Sequence, residues 1–279
     1  MTRATLAQVL QPALTGGYAV PGFVCLGWED ARAYLQAAEA ERAPLILQAG
    51  PGARAHMPLA VWAAMFRHLA ETATVPVVSH LDHGASLAEC HAALDLGFTS
   101  VMFDGSRLEL SANIDATAAV AALAHASGAS CEGEIGFVGY SGGAASSGTD
   151  PAEAARFALE TGVDAMAVSV GNLHLQSSPG AGLDHDRLRA IEALTQVPLV
   201  IHGGSGVPVA ERRTLAAGSN ICKLNIGTEL RQTFGRALRK GLQANPDRFD
   251  RLEILAATEA ALAEAAADVL RALGASGRG

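Results

Sequence analysis

Residues 198–227 read PLVIHGGSGVPVAERRTLAAGSNICKLNIG. Two short apolar runs, 198–203 and 221–227, flank a stretch of helical character that Gly218 is placed to stop before the second run. Continuous apolar strands separated by helices predict a parallel sheet buried on both faces. The same unit recurs upstream: further strand candidates lie at 19–25, 44–49, 76–83, 100–104, 129–135 and 165–171. Helical periodicity fills intervals such as 29–41, 59–72, 87–96 and 151–160. Eight such units, about 25–35 residues apart, predict an α/β fold of the TIM (β/α)8 type. The barrel is expected to occupy 1–279 as a single domain with a C-terminal helical extension over 252–273. A doubly wound sheet would not ordinarily need eight regular repeats.

Local signals support these boundaries. Ser86 precedes Leu87-Ala88-Glu89 as an N-cap with Glu89 in the capping-box position. Asp150-Pro151 sets a cap residue before a proline at the first helical position, and Gly97 and Gly162 stand where helices should stop. The segment 138–148, VGYSGGAASSG, reads as a loop suited to closing over a ligand.

Composition narrows the class. Of 279 residues, 49% are hydrophobic, which excludes a disordered chain. No apolar run reaches the roughly 20 residues that span a bilayer, and the N-terminus reads as an amphipathic helix, not a signal peptide. A soluble, cytoplasmic protein is expected. Cys25, Cys90, Cys131 and Cys222 form no CxxC pair and read as buried reduced thiols. A net charge of −8 without a basic cluster argues against nucleic acid or an anionic membrane as partner. A small anionic ligand would therefore need local positive sites.

Barrels of this type carry their chemistry at the C-terminal ends of the strands. Those ends supply Asp82 and His83 after the third strand, Asp104 after the fourth, Glu134 on the fifth, His174 after the sixth and His202 on the seventh. Three imidazoles with one open position form the usual protein share of a catalytic zinc site. His80 stands at odd spacing from His83 and is expected on the opposite face, while His56, His68, His91, His125 and His185 read as solvated. Independently, Gly203-Gly204-Ser205-Gly206 follows the seventh strand, and Asn225-Ile226-Gly227-Thr228 ends the eighth. That is where this fold recurrently binds phosphate, through backbone N–H groups and hydroxyls.

These residues lie in segments that resemble the class II fructose-bisphosphate and tagatose-bisphosphate aldolase family. The motifs are HLDHG (80–84), SVMFDGS (100–106), EGEIG (132–136), TDPAEAARFALETGVDAMAVSVG (149–171), PLVIHGGSGVP (198–208) and ICKLNIGTEL (221–230). They run in order through nearly the whole chain. The resemblance implies a zinc-dependent lyase, a homodimer or homotetramer, that interconverts a ketose phosphate with dihydroxyacetone phosphate and an aldehyde. It places Zn2+ on His83, His174 and His202, gives the acid/base role to Asp82, and sets Glu134 near the metal to assist proton transfer. Asp104 matches a position near the site. Gly203, Gly204, Ser205, Asn225, Gly227 and Thr228 would hold the phosphate, beside which the family also has a monovalent cation, Na+ or K+.

The substrate-facing positions depart from the pattern. Val24 stands where the family has asparagine, Leu175 follows the second zinc histidine in place of glycine, and Gly227 replaces an aspartate or alanine. Alignment sets Thr258 at the family's distal-phosphate cation, with Arg251 the nearest arginine that could substitute. An aldehyde fragment other than glyceraldehyde 3-phosphate is expected. A metal-dependent hydrolase barrel would place a His-x-His pair on the first strand, which has no histidine. A catalytically idle binding or regulatory barrel would lack active zinc.

Overall fold

The computed structural model describes residues 2–140, 143, 145–176, 180 and 182–279. Helix α1 (Leu6–Gly16) precedes β1 (Val20–Val24), and α2 (Trp28–Glu41) leads to β2 (Leu45–Ala49). Two helices, α3 (Pro51–His56) and α4 (Leu59–Thr72), lead to β3 (Val77–Gly84). Then α5 (Leu87–Asp95), β4 (Ser100–Phe103), α6 (Leu110–Ala126), β5 (Ser130–Ile135), α7 (Pro151–Thr161) and β6 (Ala165–Val168) follow. The chain continues through α8 (His185–Glu192), β7 (Leu199–Ile201), α9 (Val209–Gly218) and β8 (Ile221–Ile226), and ends with α10 (Thr228–Ala244) and α11 (Arg251–Ala272). All eight strands pair in parallel, and β8 pairs with β1 to close the TIM barrel.

Burial explains why apolar runs became strands and amphipathic runs became the helical jacket. Strands such as β2 and β8 are buried at every position, one face on the barrel interior and the other on helices. In α4 the buried Trp62, Phe66 and Leu69 fall on one face at helical spacing. Helix α1 opens with a capping box, the Thr5 hydroxyl and Gln8 side chain each bonding the other's backbone, and packs on β1, β5, β6 and β8. The Ala7 amide donates to Ser130 Oγ at the start of β5 (3.0 Å), so α1 covers the N-terminal end of the barrel. All four cysteines are free and buried. Among the described residues, no helix is long and apolar enough to cross a membrane.

Two local expectations need correction. Ser86 caps α5 through the Glu89 amide, but the Glu89 carboxylate bonds the Ala85 amide (2.8 Å) and Arg54 instead of closing a box on Ser86. Strand β6 ends at Val168, short of residue 171, where Gly171 turns the chain at φ +94°. The C-terminal helical extension consists of two helices after β8, where the repeat needs one. Helix α11 packs on α2, α9 and β1 and so fills the eighth place in the jacket, burying Leu262, Ala266, Val269 and Leu270. The added element is α10, whose only fully buried residue is Leu230.

Candidate active site

The end of β3 breaks the pleat. His80 and Asp82, two residues apart, both point into the barrel as alternation requires. His83 would then face the jacket, but its φ of +52° turns its ring to the cavity at the rim. For a residue with a Cβ this left-handed conformation costs about 1–2 kcal/mol. The β3–β4 register slips between Leu81 and Gly84, which accommodates the turn. Asp82 and His83 thereby share one cavity although they are neighbours in sequence. His80 lies inside the barrel beneath them, with Nδ1 2.8 Å from Ser100 Oγ and Nε2 3.6 Å from Glu132 Oε2.

His174 reaches the same place on the loop after β6. Its amide donates to the Gly139 carbonyl (2.8 Å), and its ring stacks on Tyr140 at 4.9 Å. Gly203 makes this approach possible: at φ +66°, a Cβ there would lie 2.0 Å from the Leu173 carbonyl oxygen. Asn172 ties the two segments by donating to the His202 carbonyl (3.0 Å). The rings of His83, His174 and His202 stand 4.7–5.6 Å apart, and one nitrogen from each lies within 4.8 Å of the others.

Carboxylates orient two of the rings. Asp104 Oδ2 is 2.8 Å from His83 Nδ1, and Glu132 Oε1 is 3.0 Å from His202 Nε2, so His83 Nε2 and His202 Nδ1 are left to bind a metal. His202 Nδ1 and Glu134 Oε2 lie 3.4 Å apart, both buried and without a hydrogen-bond partner among the described residues. Orphaned buried polar atoms cost about 1–3 kcal/mol each, and a cation between them would relieve that cost. Three imidazoles, two of them held in orientation by carboxylates, fit zinc. His83, Asp104 and Glu134 form an overlapping group of donors within the same 4.8 Å.

The charges are unevenly tuned. Burial raises the pKa of Asp82, but the positive fields of His83, Lys223 and His202 outweigh it and hold the carboxyl below its ordinary value. Burial wins at Glu134, whose pKa is raised. Burial, reinforced by His202 and His83, takes His174 down to about 3. Burial also opposes charge on His83, yet Asp82, the Asp104 hydrogen bond and Glu134 carry it up to about 9. Lys223 Nζ, 2.6 Å from Glu132 Oε2, is fully buried and lines no part of the cavity, which suits a structural ion pair and not a Schiff base.

The cavity of about 290 Å³ that His83 and His174 line is lined also by Gly203, Ser205, Asn225, Gly227 and Thr228. Gly204 sits beneath them against the Asn225 carbonyl. Ser205 Oγ accepts from the Gly227 and Glu229 amides (3.3 and 3.4 Å) and so fixes the N-terminus of α10 toward the cavity. Val24 and Leu175 also line it, the latter at φ +57°. Thr258 does not: it is fully buried in α11, its hydroxyl donating to the Leu255 carbonyl (2.7 Å). Arg251 lines an adjacent cavity.

Sequence reasoning passed over Gln48, Tyr140, Arg231 and Glu132. The first three line the cavity, and Glu132 holds His202 from below. Gln48 Oε1 and Nε2 and Asn225 Oδ1 are buried without a hydrogen-bond partner among the described residues. Two of the four left a signal: Glu132 shares a strand face with Glu134, and Arg231 follows Thr228 by one helical turn. In the 138–148 loop, residues 141, 142 and 144 lie outside the described residues; Phe137 and Ser147 pair across its base.

Comparison with known proteins agrees with the fold. The family described as class-II fructose-bisphosphate aldolase matches residues 4–278. The fructose-bisphosphate aldolase of Geobacillus stearothermophilus is 35% identical, over 100% of this chain and 99% of its own. A protein of Bacillus subtilis strain 168 named as a probable fructose-bisphosphate aldolase is also 35% identical, over 99% of each chain. The crystal structure of the YdjI aldolase from Escherichia coli K12 superposes with a TM-score of 0.87 at 30% identity, covering 99% of both chains. Its closed barrel, its motifs and these similarities place the chain in the class II fructose-bisphosphate aldolase family, a family of zinc-dependent lyases.

Proposed function

We propose that this aldolase cleaves and forms a ketose phosphate, yielding dihydroxyacetone phosphate and an aldehyde other than glyceraldehyde 3-phosphate. The observation that carries the reading is the convergence of three imidazoles, with the orphaned His202 Nδ1 facing the orphaned Glu134 Oε2, beside a carboxylate held ionised. His83, His174 and His202 would hold zinc, which when bound supplies Lewis-acid polarisation of the ketone oxygen.

The chain's own groups do the rest. Asp82 lines the cavity next to a metal ligand, and its depressed pKa leaves it ionised at neutral pH, ready to take the proton of the hydroxyl at the breaking carbon–carbon bond. Asn225 Nδ2, 3.3 Å from Asp82 Oδ1, orients that carboxylate. Glu134, with its raised pKa, is suited to carry a proton beside the metal. Gly203, Gly204, Ser205, Asn225, Gly227 and Thr228 receive the phosphate at the N-terminus of α10, where helix dipole and amides favour an anion. Arg231, one turn into α10, adds a cation on the cavity wall.

The aldehyde fragment meets Val24, Leu26 and Leu175, apolar where a triose phosphate would ask for polar partners. A panel of ketose 1-phosphates and 1,6-bisphosphates, assayed for released dihydroxyacetone phosphate, tests the reading. We expect the highest kcat/KM on a substrate other than fructose or tagatose 1,6-bisphosphate. Strong cleavage of either bisphosphate would sink the altered-aldehyde proposal and leave the zinc chemistry standing.

A further inference from the structure

Asp82 and His83 must face the cavity together, and the strand alone does not make them do so. On one side β2 ends at Ala49, whose partner is Leu81; on the other the register with β4 passes from Leu81 directly to Gly84. Neither Asp82 nor His83 therefore belongs to a registered strand pair. The left-handed backbone of His83 is the kind of conformation that persists only where its surroundings over-determine it.

Arg54, on the short helix α3, supplies that restraint. Its Nη1 donates to the Ala49 and Asp82 carbonyls, each at 2.6 Å, and its Nη2 donates to the His83 carbonyl at 3.0 Å. Its Nε donates to Glu89 Oε1 at 2.9 Å, and Glu89 Oε2 accepts from the Ala85 amide at 2.8 Å. The planar fork thus grips the ends of two strands and is itself held by the first turn of α5. Its side chain is 8% exposed and lines no part of the cavity, so it is placed to act on the backbone and not on substrate.

We infer that Arg54 is a positioning residue: its guanidinium clamps the carbonyls of Asp82 and His83 so that base and metal ligand enter the cavity side by side. The inference rests on the proposed zinc chemistry and deepens it. A lysine at this position would keep the charge but lose the fork, because an ammonium cannot present several coplanar donors to three carbonyls and a carboxylate. Metal affinity and ligand geometry should then suffer beyond any loss of stability.

The test uses the full chain with cobalt(II) in place of zinc, since its visible absorption reports ligand geometry. Wild type, Arg54→Lys and Glu89→Gln are compared for cobalt spectrum, zinc affinity by chelator competition, thermal midpoint, and kcat and KM. We expect Arg54→Lys to weaken zinc about ten- to a hundred-fold, the range usual for lost partners of metal ligands. Its cobalt band should shift, and kcat should fall while KM stays within about twofold. Glu89→Gln, which loosens the clamp from its outer end, should move the same readouts in the same direction by a smaller factor. It decides the matter if Arg54→Lys does not fold. A lowered thermal midpoint with wild-type cobalt spectrum and zinc affinity would overturn the inference, as would variants indistinguishable from wild type. Wild-type protein that takes up no cobalt would overturn both this inference and the zinc reading, so the two failures are distinguishable.

Discussion

At the residue scale, the pair Asp82-His83 shows how neighbouring side chains come to share one site. The first follows the pleat inward, and the second is turned in by a left-handed backbone. Substituting Asp82 with asparagine should lower carbon–carbon cleavage by about 10²- to 10⁴-fold, the usual worth of a positioned base, with zinc stoichiometry unchanged. Loss of metal together with activity would mean that Asp82 supports the ligands instead. His83 carries a pH prediction. Its pKa is raised from 6.5 to about 9, chiefly by Asp82 and Asp104 against the effect of burial. Below that value zinc must displace a proton from the ring, so apparent zinc affinity should climb with pH between 6.5 and 9 and level off above. Chelator competition across that window checks the sign; a flat profile would contradict it. The grouping of the three histidines was legible in the sequence because each stands at or beyond the C-terminal end of a strand, but the orientation of His83 was not, since period-two reasoning sets it opposite His80. His80 proved to be the one that follows the pleat.

At the element scale, eight apolar runs were enough to read the barrel, and α2, α4, α5, α7 and α9 of the jacket followed from the segments between them. Past β8 two helices, α10 and α11, follow where the repeat needs one. No strand pairing constrains the register beyond residue 226, which is also why Thr258 was set at the cavity when it belongs to the α11 core. Truncating Leu262 to alanine should destabilise the protein by about 2–5 kcal/mol, as for a fully buried leucine, whereas Leu252, 75% exposed, should cost no more than about 0.5 kcal/mol. Thermal or urea unfolding would read the difference, and equal losses would contradict the docking of α11 into the jacket. Gly203 tests the junction of the β6 and β7 loops. Gly203→Ala forces its Cβ toward the Leu173 carbonyl, so His174 should be displaced and zinc lost while the far-ultraviolet circular dichroism remains that of a folded barrel. Retained zinc in that variant would show that the two loops need not meet so closely.

At the scale of the whole molecule, a chain of net charge −8 would meet an anionic substrate through local donors and not through a global field. The N-terminus of α10, Arg231 and the histidines His83 and His174 stand around a single cavity, and the carboxylates Asp82, Asp104 and Glu134 crowd the histidine side. Raising ionic strength should therefore weaken substrate binding less than it would for a protein steered by a global basic field. The central claim is that one zinc ion on His83, His174 and His202 enables aldol cleavage by Asp82. It is tested most directly by titrating chelator-treated protein with zinc while following cleavage of the best substrate. Activity should be absent at the start and rise to saturation at one zinc per chain, and His202→Ala should show no such rise. Cleavage that persists in the chelated protein, or fails to return at any zinc ratio, would contradict it.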